Sequence, residues 1–101
     1  MKIIKCLVKK IEEEMHDAEE YAKLAFQYRG EYPEVSDVFL TLSRQEVTHV
    51  NMLHTQAERL IKDYRDEGND PPAAMLAVYQ WEHEKLMDGM ARIKTMQDMI
   101  R

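Results

Sequence analysis

Glu46-Val47-Thr48-His49 lies inside a run from Val35 to Tyr64 that holds no glycine or proline and repeats its apolar residues at helical spacing. A carboxylate and an imidazole three residues apart share one helix face. Here they fall where the apolar stripe Val35, Val38/Phe39, Leu42, Leu53, Ala57, Leu60, Tyr64 should continue, so both are expected to point at a core. Polar groups placed there need partners. One reading is a satisfied polar pair, with Glu46 bonded to His49 or to a neighbouring helix. The other is a metal half-site. The rest of the chain weighs between them.

Upstream, Ile4, Leu7, Ile11, Ala18, Tyr21, Ala25 and Tyr28 occupy the two apolar positions of a heptad frame. The frame is interrupted once, at Glu14, while Glu12, Glu13, Glu19 and Glu20 lie off it. This predicts a first helix over about residues 2–29, with Gly30 as its C-terminal cap. Pro33 suits a first helical position and Glu34 the positive end of a helix, so a second helix is expected over 34–67, closed by Gly68-Asn69-Asp70-Pro71-Pro72. Asp70 before the two prolines predicts the start of a third helix over 71–100. Its stripe is Met75, Val78/Tyr79, Leu86, Met90, Ile93, Met96 and Ile100, with Glu82 where the stripe should run. The fold class is therefore all-α: one domain over residues 1–101, built as a long antiparallel helical hairpin plus a third helix.

The short connection through Gly30-Glu31-Tyr32-Pro33 folds the second helix back beside the first. With the turn centred between residues 31 and 32, Glu14 lies about eighteen residues before it and His49 about eighteen after, so the two are level, with Glu46 within one turn. Glu14, Glu46 and His49 are then the main polar interruptions of otherwise apolar stripes, and all stand at one height. Two carboxylates in a core raise each other's pKa, a conflict that a divalent cation removes. Hard carboxylates with one imidazole and no thiolate suit iron or manganese; zinc, which more often takes cysteine and histidine, is also accommodated. Other polar residues read as ordinary. His16 with Glu20, and Glu13 nearby, form a surface group; His54 is an ordinary residue on the edge of the second helix and His83 a solvated one; Trp81 is an interface anchor; and the late methionines fill core or subunit contacts. Tyr21 and Tyr28 pack along the seam near Glu14.

A net charge of -5 offers no general attraction to phosphate backbones or anionic membranes, and Lys2, Lys5, Lys9 and Lys10 read as a solvated helix face, so neither nucleic acid nor membrane is expected as a partner. The single cysteine, Cys6, has no partner for an internal disulfide. Charges break the opening decapeptide too often for a signal sequence, and no run approaches a membrane span, so a cytoplasmic location is expected.

Glu14 followed by Tyr21, then Pro33-Glu34-Val35, Val38-Phe39-Leu40, Leu42 and Gln45-Glu46-Val47-Thr48-His49, resembles the first half of rubrerythrin-like and ferritin-like proteins over roughly residues 11–61. The likeness is greatest to the short, two-helix branch typified by encapsulated ferritins. It implies a four-helix bundle completed by homodimerisation, or a ring of dimers, and a di-iron carboxylate centre at the interface that oxidises Fe(II) with O2 or H2O2. On this likeness Glu14 is the first-helix ligand, Glu46 the bridging carboxylate and His49 the terminal nitrogen ligand, and Glu82 stands in for the lone Glu of a third bundle helix. An encapsulating shell protein is the partner that branch implies, although no shell-addressing tail is read after Ile100, and the rubredoxin-type cysteine module of rubrerythrins is absent. Two readings of other kinds stand beside this one: a catalytically silent helical interaction module using Glu46 and His49 for register, and a bundle whose divalent-metal site is purely structural.

Overall fold

The computed structural model describes residues 2–100, apart from the side chain of residue 74, so the outermost residues of the expected domain lie outside it. Among the described residues there are three helices and no strand: α1 (Lys2–Tyr28), α2 (Pro33–Asp66) and α3 (Ala73–Ile100). α2 alone runs 34 residues, about 51 Å at 1.5 Å per residue, which accounts for most of the molecule's 57 Å length against a width of 18 × 17 Å.

The helix ends follow local chemistry, with two departures from the sequence reading. Gly30 is not a left-handed cap: among the described residues only Gly68 has a positive φ, +86°. α1 is instead closed by Arg29, whose guanidinium donates to the Phe26 carbonyl at 2.6 Å and lies 3.6 Å over the Phe26 ring, and by the Tyr32 amide donating to Tyr28 at 2.9 Å. Pro33 opens α2, where the absent N–H is one the helix could not have bonded, and Glu34 sits in the first turn. At the other end Asn69 N–H donates to Tyr64 O and Gly68 N–H to Arg65 O, the paired bonds of a Schellman turn. α3 begins later than expected. A residue preceding proline is pushed out of the helical region, so Asp70 and Pro71 stay outside. The first bond of the new helix runs from Leu76 N–H to Pro72 O at 3.1 Å.

α1 and α2 meet along a seam of small residues. Ser36 Oγ donates to the Ala25 carbonyl at 2.5 Å and Ser43 Oγ to the Ala18 carbonyl at 2.6 Å. Below them Ile11 clusters with Val50, and Ile4 with Ala57 and Ile61. Partners therefore fall along α1 as they rise along α2. Ala18, Ala22, Ala25 and Ser43 are fully buried and Ser36 nearly so. Alanine and serine let the backbones approach closely, and each hydroxyl finds a carbonyl instead of being buried unpaired.

This seam rotates α2 from the position the apolar stripe suggested. Its buried face is Ser36, Leu40, Ser43, Val50, Ala57 and Ile61, while Val35 and Val38 are 47% and 58% exposed. Leu42, Leu53, Leu60 and Tyr64 are only half-buried, at the margin of the contact. Apart from Ala57, which is buried, the stripe read from hydrophobicity alone thus lies beside the true core face, because the close contact is made by serines that a hydrophobic count passes over.

α3 packs mainly along α1. Met75 joins the Ile4 cluster, Leu86 the Ile11 cluster, and Arg92 grips both carboxylate oxygens of Glu19 at 3.1 and 3.2 Å. Gly89 leaves room for the Met15 side chain, whose end occupies the space a Cβ would take. One buried relay ties all three helices: Gln97 Nε2 donates to Ser43 Oγ at 2.9 Å, and Ser43 donates to Ala18.

Removing the middle of that relay leaves the Gln97 amide buried without its acceptor, so Ser43→Ala is expected to destabilise the chain by about 1–3 kcal/mol in urea unfolding. Gly68→Ala, which forces a Cβ into the left-handed region, is expected to cost about 1–2 kcal/mol in the same measurement.

Candidate metal centre

Glu14 on α1 and Glu46 and His49 on α2 come together where the sequence register placed them. His49 Nδ1 lies 3.7 Å from Glu14 Oε2 and 3.7 Å from Glu46 Oε1. One ligand atom from each of the three lies within 4.8 Å of the others. The rotation of α2 puts them at the edge of the seam and not inside it. The Glu46 side chain is 17% exposed, Glu14 29% and His49 51%. By helical spacing Glu46 and His49 share their side of α2 with the exposed Val35 and Val38, and the rings of Tyr21 and Phe39 stack between α1 and α2 with centroids 6.2 Å apart.

Glu46 supplies the informative atom. Its Oε1 faces His49, but its Oε2 is buried and has no hydrogen-bond partner. A carboxylate oxygen held out of water without a donor is an expensive arrangement unless a cation or a donor from elsewhere meets it. The donor set, two carboxylates each 3.7 Å from one imidazole nitrogen, fits a hard or borderline divalent ion.

Glu82 lies elsewhere. It sits against α1 at Glu12, sharing a hydrogen bond with that carboxyl, and does not join Glu14, Glu46 and His49. Burial, then the Glu12 bond and the Glu12 charge, push its pKa up to about 7, with Lys85 pulling the other way. His16 is exposed, and its neighbours Glu13 and Glu20 pair with Lys10 and Lys23. Trp81 is exposed, with Lys85 Nζ 4.8 Å over its ring.

A second constellation went unread in the sequence. His54 Nε2 is 2.8 Å from His83 Nδ1, 3.4 Å from Glu58 Oε1 and 3.4 Å from the Tyr79 hydroxyl. The i,i+4 spacings of His54 with Glu58 and of Tyr79 with His83 were available as a signal. That the two pairs face each other depends on where α3 crosses α2, which follows from the 67–72 connection and the packing of α3, not from either helix's own pattern.

No family model, no curated protein and no solved structure matches this chain. No helix among the described residues is long and apolar enough to cross a membrane.

The Glu82 carboxyl carries a testable sign. Because its folded pKa lies above the ordinary value of 4.5, the folded state holds more protons between those limits, and stability falls as pH rises from about 4.5 to about 7. Glu82→Gln keeps a donor for Glu12 and removes the charge. Its melting temperature is expected to exceed that of the unaltered chain at pH 8, and the gain to vanish near pH 4.5.

Proposed function

We propose that the chain is an iron-oxidising protein of ferritin-like type, working as a homodimer or a ring of dimers whose paired hairpins complete a four-helix bundle. The observation that carries this reading is the convergence of Glu14, Glu46 and His49 with the Glu46 Oε2 atom buried and unpartnered. A second copy docked on the same face, about a two-fold axis, doubles the set to four carboxylates and two imidazoles, a di-iron complement. The exposed Val35 and Val38 and the half-buried Leu42 and Leu53 supply apolar area for that contact.

In this reading Fe(II) is the substrate. Glu14, Glu46 and His49 bind it, and their negative charge favours the Fe(III) product. Two Fe(II) each lose one electron to H2O2, whose O–O bond breaks, and two protons complete two waters; O2 serves as the alternative acceptor. Glu82, held by Glu12, takes no part.

A second reading is a catalytically silent interaction module. It is supported by the contacts His49 already makes to both carboxylates, which a protonated ring turns into ion pairs. Fe(II) added under air separates the two. The first reading expects ferric absorbance to develop at a rate that falls at least about tenfold in Glu46→Ala and in His49→Ala, and light scattering to give a multiple of the 12.0 kDa chain mass that drops to monomer in Val38→Glu/Leu42→Glu. Oxidation no faster than in buffer, with no iron retained, overturns it in favour of the second.

A further inference from the structure

We propose that His54, Glu58 and His83 form a second binding site, separate from Glu14, Glu46 and His49, for a borderline divalent transition-metal ion of the Zn2+ class, and that the ion clamps α3 to α2.

Crowding at one atom marks the site. His54 Nε2 faces His83 Nδ1 at 2.8 Å, Glu58 Oε1 at 3.4 Å and the Tyr79 hydroxyl at 3.4 Å. A ring nitrogen carries either one proton or one lone pair. With a proton, it donates towards the His83 nitrogen or the Glu58 oxygen and satisfies one of them well. With a lone pair, it accepts from His83 or from Tyr79, and the Glu58 carboxylate faces an acceptor. No tautomer serves all three neighbours at once. A cation among these atoms does, because every donor then directs a lone pair at it.

The spacings agree with that reading. Donors bound to zinc at about 2.0–2.1 Å in a tetrahedron stand about 3.4 Å apart. The His54–Glu58 separation is already 3.4 Å, and one ligand atom from each of the three residues lies within 4.8 Å of the others. The His54–His83 pair needs only to open from 2.8 Å by about half an ångström. Two imidazoles and one carboxylate form a known zinc ligand set that leaves a fourth position for water. Imidazole in the majority distinguishes this site from the carboxylate-rich group at Glu14, which suits harder ions.

The surroundings are built for it. The His54 side chain is 18% exposed and its ring stacks on those of Tyr79 and His83, with centroids 6.3 and 4.9 Å away. Burial lowers the pKa of His54, which keeps the ring in the neutral form that a metal requires. A groove of about 470 Å³ lined by Glu58, Tyr79 and His83, among others, borders the site. The ligands come from two helices: His54 and Glu58 from α2, His83 from α3. Since α3 leans chiefly on α1, an ion held here adds a cross-link where the fold has few of its own.

The test uses the full chain stripped with a chelator, and a variant carrying Glu14→Gln, Glu46→Gln and His49→Gln to silence the other group. Zn2+ titration by calorimetry is expected to show one ion per chain in that variant, with the melting temperature raised by at least about 5 °C at a hundredfold excess over Kd. Co2+ is expected to give the intense visible absorption of a tetrahedral site. Adding His54→Gln or His83→Gln is expected to abolish both signals. The proposal is overturned if the triple variant binds no Zn2+, or if binding persists unchanged after either histidine is replaced. Should a histidine variant lose its helical circular dichroism, Glu58→Gln, an exposed side chain, decides instead: affinity reduced at least about tenfold supports the site, and unchanged affinity overturns it.

Discussion

The close approach of α1 and α2 through Ala18, Ala22 and Ala25 on one side and Ser36 and Ser43 on the other sets the geometry of the whole molecule. Small side chains allow backbones to come nearer than leucine pairs would. The price of placing two hydroxyls there is offset by donation to carbonyls of the facing helix. Because those bonds are directional, they hold the height of one helix against the other and also the rotation of α2 about its axis. Gln97 extends the same constraint to α3 through Ser43, so the third helix is positioned by the hydroxyl that positions the second.

That rotation governs the polar chemistry. Had α2 buried the stripe running through Leu42, Glu46, His49 and Leu53, the carboxylates and imidazole would be enclosed within one chain. Turned as it is, the helix carries them at the edge of its contact with α1, with Glu46 Oε2 still buried and His49 half out. A group placed there can be completed from outside by an ion or by a second chain. The same turn brings His54 towards α3, where it meets His83 and Tyr79. Two constellations on one helix, less than two turns apart, thus face different neighbours, as the periodicity of a helix dictates for residues 49 and 54.

α3 adds asymmetry. It is held to α1 by Arg92 on Glu19 and by Leu86 and Met75 in the two apolar clusters. Its contact with α2 is slight by comparison. Where this packing draws Glu82 against Glu12, burial first and then the neighbouring carboxyl raise the Glu82 pKa.

Much of this was legible in the residues. Helix-forming composition and uninterrupted periodicity determined the three helices, and Pro33, Gly68 and the Pro71-Pro72 pair marked where they stop and start, because these effects act within a turn of the residue that causes them. The level alignment of Glu14 with His49 followed from the short connection alone, since 1.5 Å per residue leaves little freedom in how two helices joined by a tight turn run past each other. What the chain could not state locally was rotation and long-range placement. Serines carry no hydrophobic signal, so the buried face of α2 was displaced from the apolar stripe. The partners of Glu82, His54 and His83 depended on how a third helix, joined by a longer connection, settled on the other two. Side-chain type and spacing act along one helix; which faces meet is decided by the packing of all three at once, and only the tertiary structure contains that balance.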